Sequence, residues 1–353
     1  MMYSLNFALI SYHQKSISLV WMDNATAVDE SIDAPSTTDP LFYGLIIFLG
    51  GLLGVVTNGF TLLCIFKVPN FKNAFGCLCA SHAFADFGIL FLFAFWAAPN
   101  AFSQSEASIS LLGRKLGQLS LFFWFANLYS QLFIAINRCC AITVPVFYRR
   151  KFTLHNTKYI IAFIWIAAII HMPVYFFEGC DFYFDDASYM WMYSASDCGV
   201  ALGFYMDFLF GCGILACVLA LNTITFVRLT LSRKALEDSS KLNGQKNKYM
   251  AKQREREIRF FVQACTTAVV FMLMLISFNL LSRYTTTTWS AFASTTLVWE
   301  MAHTADGLIM ILFNCEFRKM LVKPSLICTA SSTRVTVVEA SNFQPSIVTR
   351  SCN

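Results

Sequence analysis

Charge is what this sequence has least of. Only 13% of its 353 residues are Asp, Glu, Lys or Arg, where a water-soluble domain carries about a quarter. That excludes an ordinary soluble fold. Catalytic equipment is scarce too: no nucleophile–base pair or metal-ligand cluster stands out, so neither enzymatic activity, cofactor nor metal is expected. An inverted repeat is lacking, as are matched pairs of Gly/Pro-broken hydrophobic segments, which counts against a transporter or channel.

Apolar residues fill the gap. They make up 57% of the chain and fall into seven runs, at about 41–66, 74–98, 117–141, 158–177, 199–227, 258–281 and 290–313. Each run suffices to cross roughly 30 Å of hydrocarbon at 1.5 Å per residue. Each is apolar nearly all round, unlike the single stripe of a helix on a soluble core. Backbone groups cannot go unpaired in lipid, so the expected fold is an all-α seven-helix membrane bundle. Residues 1–40 form a tail before it, 41–320 the helical domain, and 321–353 a second tail.

Basic residues set the orientation. With the first tail outside, 22 of the 26 Lys and Arg fall on inner segments, and only Lys15, Arg114, Lys115 and Arg283 fall outside. The positive-inside rule therefore puts the amino terminus outside and the carboxyl terminus in the cytoplasm. The net charge of +5 reflects this topology, with membrane lipid rather than nucleic acid as the partner. Asn24 begins a glycosylation sequon in the outer tail. The first 20 residues make a poor signal peptide, their apolar stretch broken by His13, Gln14 and Lys15, and Met22 is an alternative start. Of 13 cysteines, only Cys180 and Cys198 fall on the outer side, within one loop, and they are expected to pair. Such a closed loop is worth about 3 kcal/mol in the chain-entropy account. Cys315 and Cys328, beyond the last run, are palmitoylation candidates.

Ionisable groups inside spanning helices are costly and therefore informative. Asp86, Asp207, Glu300 and Asp306 are such acids, joined by His82, His303, Asn58 and Asn127. Interhelical hydrogen bonding is the bland role, and for Asn58 it weighs at least as much as signalling. Several motifs then fall in a telling order: "TNGF" from Thr57, "SHAFAD" ending at Asp86, "INRCCAITVP" with Arg138 followed by Pro145, Trp165, and "DGLIMILFNCEFRK" from Asp306 to Lys319. This set resembles the rhodopsin-like G-protein-coupled receptors over roughly residues 41–320. Asn137-Arg138-Cys139 stands where that family has an acid-Arg-aromatic triplet, and Asp306 to Met310 where it has Asn-Pro-x-x-Tyr. Phe317-Arg318 is placed to begin a short amphipathic helix on the inner leaflet.

Departures from the pattern narrow the resemblance. Asn137 replaces the acid, Gly307 the proline and Met310 the tyrosine. The fifth and sixth runs contain no proline, and no Cys stands at the outer end of the third, so the family's usual bridge to the second outer loop cannot form. Together with "EIRFFVQAC" opening the sixth run and the paired loop cysteines, these features resemble the nematode chemosensory serpentine receptors, class X (Srx).

The resemblance implies roles for particular residues. Asn137, Arg138 and Pro145 belong to the surface that couples to a heterotrimeric G protein, and Glu255 or Glu257 is a candidate partner for Arg138 across the gap to the sixth helix. Asn58, Asp86, Asn127, His303 and Asp306 form a polar core where the family often holds sodium. His303 is expected to replace the ion as an imidazolium paired with Asp86 or Asp306. A small-molecule ligand would meet Ser120, Trp124, Asp207, Trp299 and Glu300. Ser120 stands where aminergic receptors need an acid, and Glu300 where opsins need a Schiff-base Lys. Two acids favour a cationic or hydrogen-bond-donating ligand, the alternative being that either meets Arg283 or another polar partner. Phe204, Trp124 and Trp299 are expected to pack or face lipid rather than form a cation–π cage. The Ser/Thr-rich tail has a kinase and arrestin as candidate partners, and a sensory cilium is the implied location. Alternatives left open are a receptor-shaped protein that no longer couples and, further off, a small-solute transporter.

Overall fold

The computed structural model describes residues 39–239 and 244–322. Asn24, Cys328 and the tail from Ser325 lie outside the described residues, as do the side chains of Glu255 and Glu257. Among the described residues seven helices are long and apolar enough to cross a membrane: α1 (Pro40–Lys67), α2 (Ala74–Ser103), α3 (Leu111–Thr143), α4 (Leu154–Phe176), α5 (Asp197–Leu231), α6 (Ile258–Tyr284) and α7 (Thr288–Phe313). A break at Asn314 precedes the short α8 (Cys315–Val322).

Local sequence sets several of the helix starts. Side-chain oxygens of Asn73, Ser110, Thr153 and Ser196 each accept from a backbone N–H three residues on. Thr287 and Ser290 do so reciprocally in a capping box. These bonds satisfy donors that helix ends leave open. Spacing then sorts the faces. On α1, Leu41, Leu45, Leu49, Leu53 and Val56 are exposed on the lipid side. Tyr43, Ile47, Asn58 and Thr61 are buried on the other, in keeping with the i, i+3/i+4 rule.

Three spans carry a π-helical stretch: Phe93–Ala97 in α2, Leu202–Leu209 in α5 and Ala293–Leu297 in α7. A wider turn bends a helix and shifts the facing of later residues, much as proline does. In proline-free α5 this stretch contains Asp207, which it turns inward.

Between α4 and α5 the chain forms a hairpin of β1 (Phe182–Asp185) and β2 (Met190–Tyr193), antiparallel with Phe182 opposite Tyr193. Tyr189 takes the left-handed conformation, φ 59°, at its turn. Phe182, Phe184, Tyr189 and Trp191 are all buried, so the hairpin plugs one end of the bundle. The disulfide Cys180–Cys198 closes its base. The Thr296 hydroxyl donates to the Tyr189 carbonyl at 2.8 Å and accepts from the Trp191 N–H at 3.2 Å. Arg114 Nη1 meets Asp181 Oδ2 at 2.8 Å, tying α3 to the residue beside Cys180. Gly117 lies so close that a Cβ there would fall 1.9 Å from the Phe182 carbonyl oxygen.

Gly307, standing in for the family's proline, has a packing reason. A Cβ there would meet the Asn58 side chain at 2.9 Å. Asn58 Nδ2 donates to the His303 carbonyl at 3.2 Å and the Gly54 carbonyl at 3.1 Å, closing α1 on α7. Gly307→Ala is therefore expected to destabilise detergent-solubilised protein by about 1–3 kcal/mol through overpacking. Asn58→Ala in the same background should recover part of that loss in a thermal-unfolding double-mutant cycle, and strict additivity would show that the two sites are not in contact.

Candidate functional site

A column of buried polar side chains runs down the bundle from the hairpin end to Arg138. At its top, under Phe182, is a cavity of about 10 Å³ between Trp124, Asp207, Phe278 and Trp299. That is room for on the order of one water. The Trp124 indole N–H donates to Asp207 Oδ1 at 2.8 Å, and Asn279 Nδ2 to Asp207 Oδ2 at 3.5 Å. Arg283 reaches the same neighbourhood through Asn279, donating to its backbone oxygen at 2.7 Å. Trp124 and Trp299 are thus interior donors; neither faces lipid. Phe204 is half-buried and packs on Tyr205 and Phe208.

Two expected ligand contacts are not among the residues lining this cavity. Ser120 is fully buried, its hydroxyl donating to the Gly117 carbonyl at 2.6 Å. Glu300 is also fully buried but turns toward α1: a Cβ on Gly50 would lie 2.8 Å from its carboxylate. Position along a helix gave the depth of both residues and left their facing open.

The core lies below. Asp86 Oδ1 accepts from Asn127 Nδ2 at 2.6 Å and pairs with His303 Nδ1 at 2.5 Å. Gln131 Nε2 donates to Asn127 Oδ1 at 3.2 Å, extending the chain of bonds along α3. The Trp299 indole N–H points at His303 Nε2, 2.9 Å away. An indole only donates, so in this arrangement Nε2 faces a donor and Nδ1 faces the Asp86 carboxylate.

The second histidine of the core is His82. Its Nε2 lies 2.8 Å from Asp306 Oδ2 and 3.6 Å from Asp86 Oδ2. The Thr267 hydroxyl completes Asp306, donating to Oδ1 at 2.8 Å. His82, Asp86 and Asp306 also form a group whose ligand atoms lie within 4.8 Å of one another, the kind of cluster that did not stand out in the sequence. The available signal was the i, i+4 spacing of His82 and Asp86, which puts both on one face of α2; Asp306 was expected in the core with Asp86, and His82 was the member not assigned to it.

His82 and Asp306 border a second cavity, about 50 Å³, that reaches Arg138, Gln131, Asn222 and Gln263. The Arg138 guanidinium sits between two rings, 5.6 Å from the Phe75 centroid and 5.3 Å from that of Phe260. This joins α2, α3 and α6 at one point. Phe75 in turn packs on Phe71, and Phe71 on buried Phe317 of α8 at 5.0 Å. Met310 Sδ, where the family has a tyrosine, accepts from Gln263 Nε2 at 2.8 Å. Asn137 is buried. Pro145 opens a two-turn helix, Pro145–Lys151, whose Tyr148 hydroxyl is pushed up in pKa by burial, with the Asn137 side chain pulling the other way. Cys315 is half-buried at the first position of α8.

This seven-helix architecture is similar to that of squid rhodopsin. The two superpose with a TM-score of 0.67 at 14% identity, over 87% of this chain and 95% of the other. The fold is therefore a rhodopsin-like seven-helix bundle. The sequence profile of the serpentine type 7TM GPCR chemoreceptor Srx family matches residues 48–314, and the chain belongs to that family. Relatives include serpentine receptor class X 45 of Caenorhabditis elegans, 25% identical over 79% of this chain and 80% of the relative. Serpentine receptor class X-43 of the same organism is 24% identical over 87% and 94%. Trace amine-associated receptor 6 of Mus musculus is also similar, 24% identical over 65% and 68%. The protein is thus a multi-pass membrane receptor of the GPCR type.

Trp124→Phe is expected to cost about 1–3 kcal/mol by stranding Asp207 Oδ1 in a buried site. Adding Asp207→Asn should lower that penalty by replacing the carboxylate with a neutral amide. Equal melting losses with and without the Asp207→Asn change would show that the indole–carboxylate bond does not matter.

Proposed function

We propose that this receptor is chemosensory, sits in the plasma membrane with its amino terminus outside, and binds an external small molecule at the Trp124–Asp207–Trp299 cavity. It then activates a heterotrimeric G protein through Arg138. The observation that supports the reading is the set of buried polar side chains lying between that cavity and the one that Arg138 lines. Asp207 at its head suits a ligand with a positive charge or a strong N–H donor. Ser120, at the position where aminergic receptors carry their acid, argues against transferring a trace-amine preference from the mouse relative. The free space is far smaller than an odorant, so a ligand enters by displacing Phe182 or the indoles, and the hairpin moves with it.

At the other end the Arg138 guanidinium lies between the Phe75 and Phe260 rings. An outward swing of α6 pulls Phe260 off the guanidinium, forfeiting a cation–π contact of about 0.5–2 kcal/mol, and exposes Arg138 to the G protein. Ligand therefore supplies only the difference in its affinity for the two states. A kinase and arrestin at the carboxyl-terminal tail, glycosylation at Asn24, lipidation at Cys315 and ciliary placement extend the same reading.

Cells co-expressing a promiscuous Gα subunit and screened against small amines and alcohols provide the test. Arg138→Ala should keep surface expression and ligand binding while abolishing Gα activation. Undiminished signalling from it would overturn the coupling role. Phe260→Ala should raise ligand-independent signalling several-fold; signalling unchanged from wild type would show that the rings do not restrain the arginine.

A further inference from the structure

The hairpin over the Trp124–Asp207–Trp299 cavity is fastened at its base, its middle and its tip. The base carries the disulfide and the Arg114–Asp181 pair, and the middle is bonded to Thr296 of α7. At the tip the chain turns through Asp185, Asp186, Ala187 and Ser188. The two acids divide the work there. Asp185 holds the turn itself, its Oδ2 accepting from the Ser188 N–H at 2.9 Å and from the Ser188 hydroxyl. Asp186 docks the turn on the loop between α2 and α3. Its Oδ1 accepts from the hydroxyl of fully buried Ser108 at 2.8 Å, and its backbone carbonyl accepts from Gln104 Nε2 at 2.8 Å. Gln104 caps the end of α2 in the left-handed conformation, φ 47°, and its amide is steadied by a second bond to the Ala101 carbonyl at 3.0 Å.

An acid is an awkward group to dock in this place. The charges that face Asp186, Asp185 on the hairpin and Glu106 on the loop, are both negative. The outer cations of α3 are engaged elsewhere, Arg114 with Asp181 and Lys115 with Gln118 and the Phe176 ring. Burial raises the Asp186 carboxyl above the usual carboxylate range, the Ser108 bond pulls it back in part, and Asp185 and Glu106 push it up again. Lifted into water, the same group returns to that range. The docked tip therefore holds a proton to higher pH than the lifted one. By linkage, docking is at full strength in acid and weakens as pH rises through the raised value.

We propose that Asp186, Ser108 and Gln104 form a proton-sensitive fastening for the hairpin, drawn tight by acid and eased toward neutral pH. Phe182, on the same hairpin, lines the cavity beneath, so the fastening sets how readily that cavity is reached. This consequence rests on the reading of the cavity as the ligand site and of this face as external; the fastening itself does not.

Amide hydrogen exchange of the full-length receptor in detergent tests the fastening, followed over the hairpin strands and corrected for the intrinsic pH dependence of exchange. Between about pH 4 and pH 8, protection in wild type should fall by up to about tenfold for each pH unit by which docking raises the acid. Asp186→Asn keeps an oxygen for Ser108 and cannot ionise, so its protection should stay at the wild-type acid level throughout. Glu106→Gln removes one like charge and should move the transition to lower pH. Flat protection in wild type would overturn the proposal, and so would a wild-type transition in Asp186→Asn. Access to the cavity is read separately, at a single pH near neutrality. A cationic methanethiosulfonate reagent should modify Met274→Cys, on the cavity wall, several-fold more slowly once Asp186→Asn is added, with the reaction of the parent chain subtracted. Equal rates beside an intact exchange result would overturn the reading of the cavity as the ligand site and not the fastening.

Discussion

Two carboxylates placed in the middle of a membrane bundle impose the central constraint on this molecule. Asp86 and Asp306 are both buried, so each must be matched by polar groups packed against it. The matching recruits His82 from α2, Asn127 from α3, Thr267 from α6 and His303 from α7. Much of the helix packing is a consequence. Trp299 must offer its indole to His303, and Asn58 must stay close to the His303 carbonyl. Gly307 then leaves room for that asparagine. Removing a partner strands a buried charge, which costs more than an ordinary core cavity.

The seven-helix fold was readable because a bilayer fixes span length and forbids unpaired backbone. Composition and charge asymmetry carried that much before any residue was weighed. The polar core was readable for the same reason: an acid among Leu and Phe stands out, and Asp86, Asn127, His303 and Asp306 do meet. What linear sequence withholds is the side of the helix that each residue faces. Glu300 and Trp299 are neighbours at one depth, yet the tryptophan lines the cavity and the glutamate presses against α1. The π-helical stretches make this harder, since each offsets the facing of the residues beyond it. Two rings among 36 phenylalanines gave no sign that they hold Arg138. His82 was visible as an ionisable group, but its part in the core depends on a contact with distant Asp306.

Losses from the wider family's motifs are matched here by different contacts in the same places. Asn137 stands in place of the acid beside Arg138, and the guanidinium lies between the Phe75 and Phe260 rings. The missing cysteine of α3 leaves no covalent link to the hairpin, and the Arg114–Asp181 pair supplies a polar one. Proline is absent from α5, and a π-helical stretch gives that helix its wide turn. In each case a geometric requirement is met by other chemistry, and motif matching by residue type alone understates the likeness.

The loop disulfide joins Cys180 to Cys198 and leaves α3 out. The hairpin is therefore a clip closed on the first turn of α5, and its contacts with α3 and α7 are non-covalent. Such a clip can tilt or lift as one piece while its cross-link stays intact. A receptor built this way can open its mouth without any change in sulfur chemistry, keeping the stiffness of the gate separate from the strength of its latch.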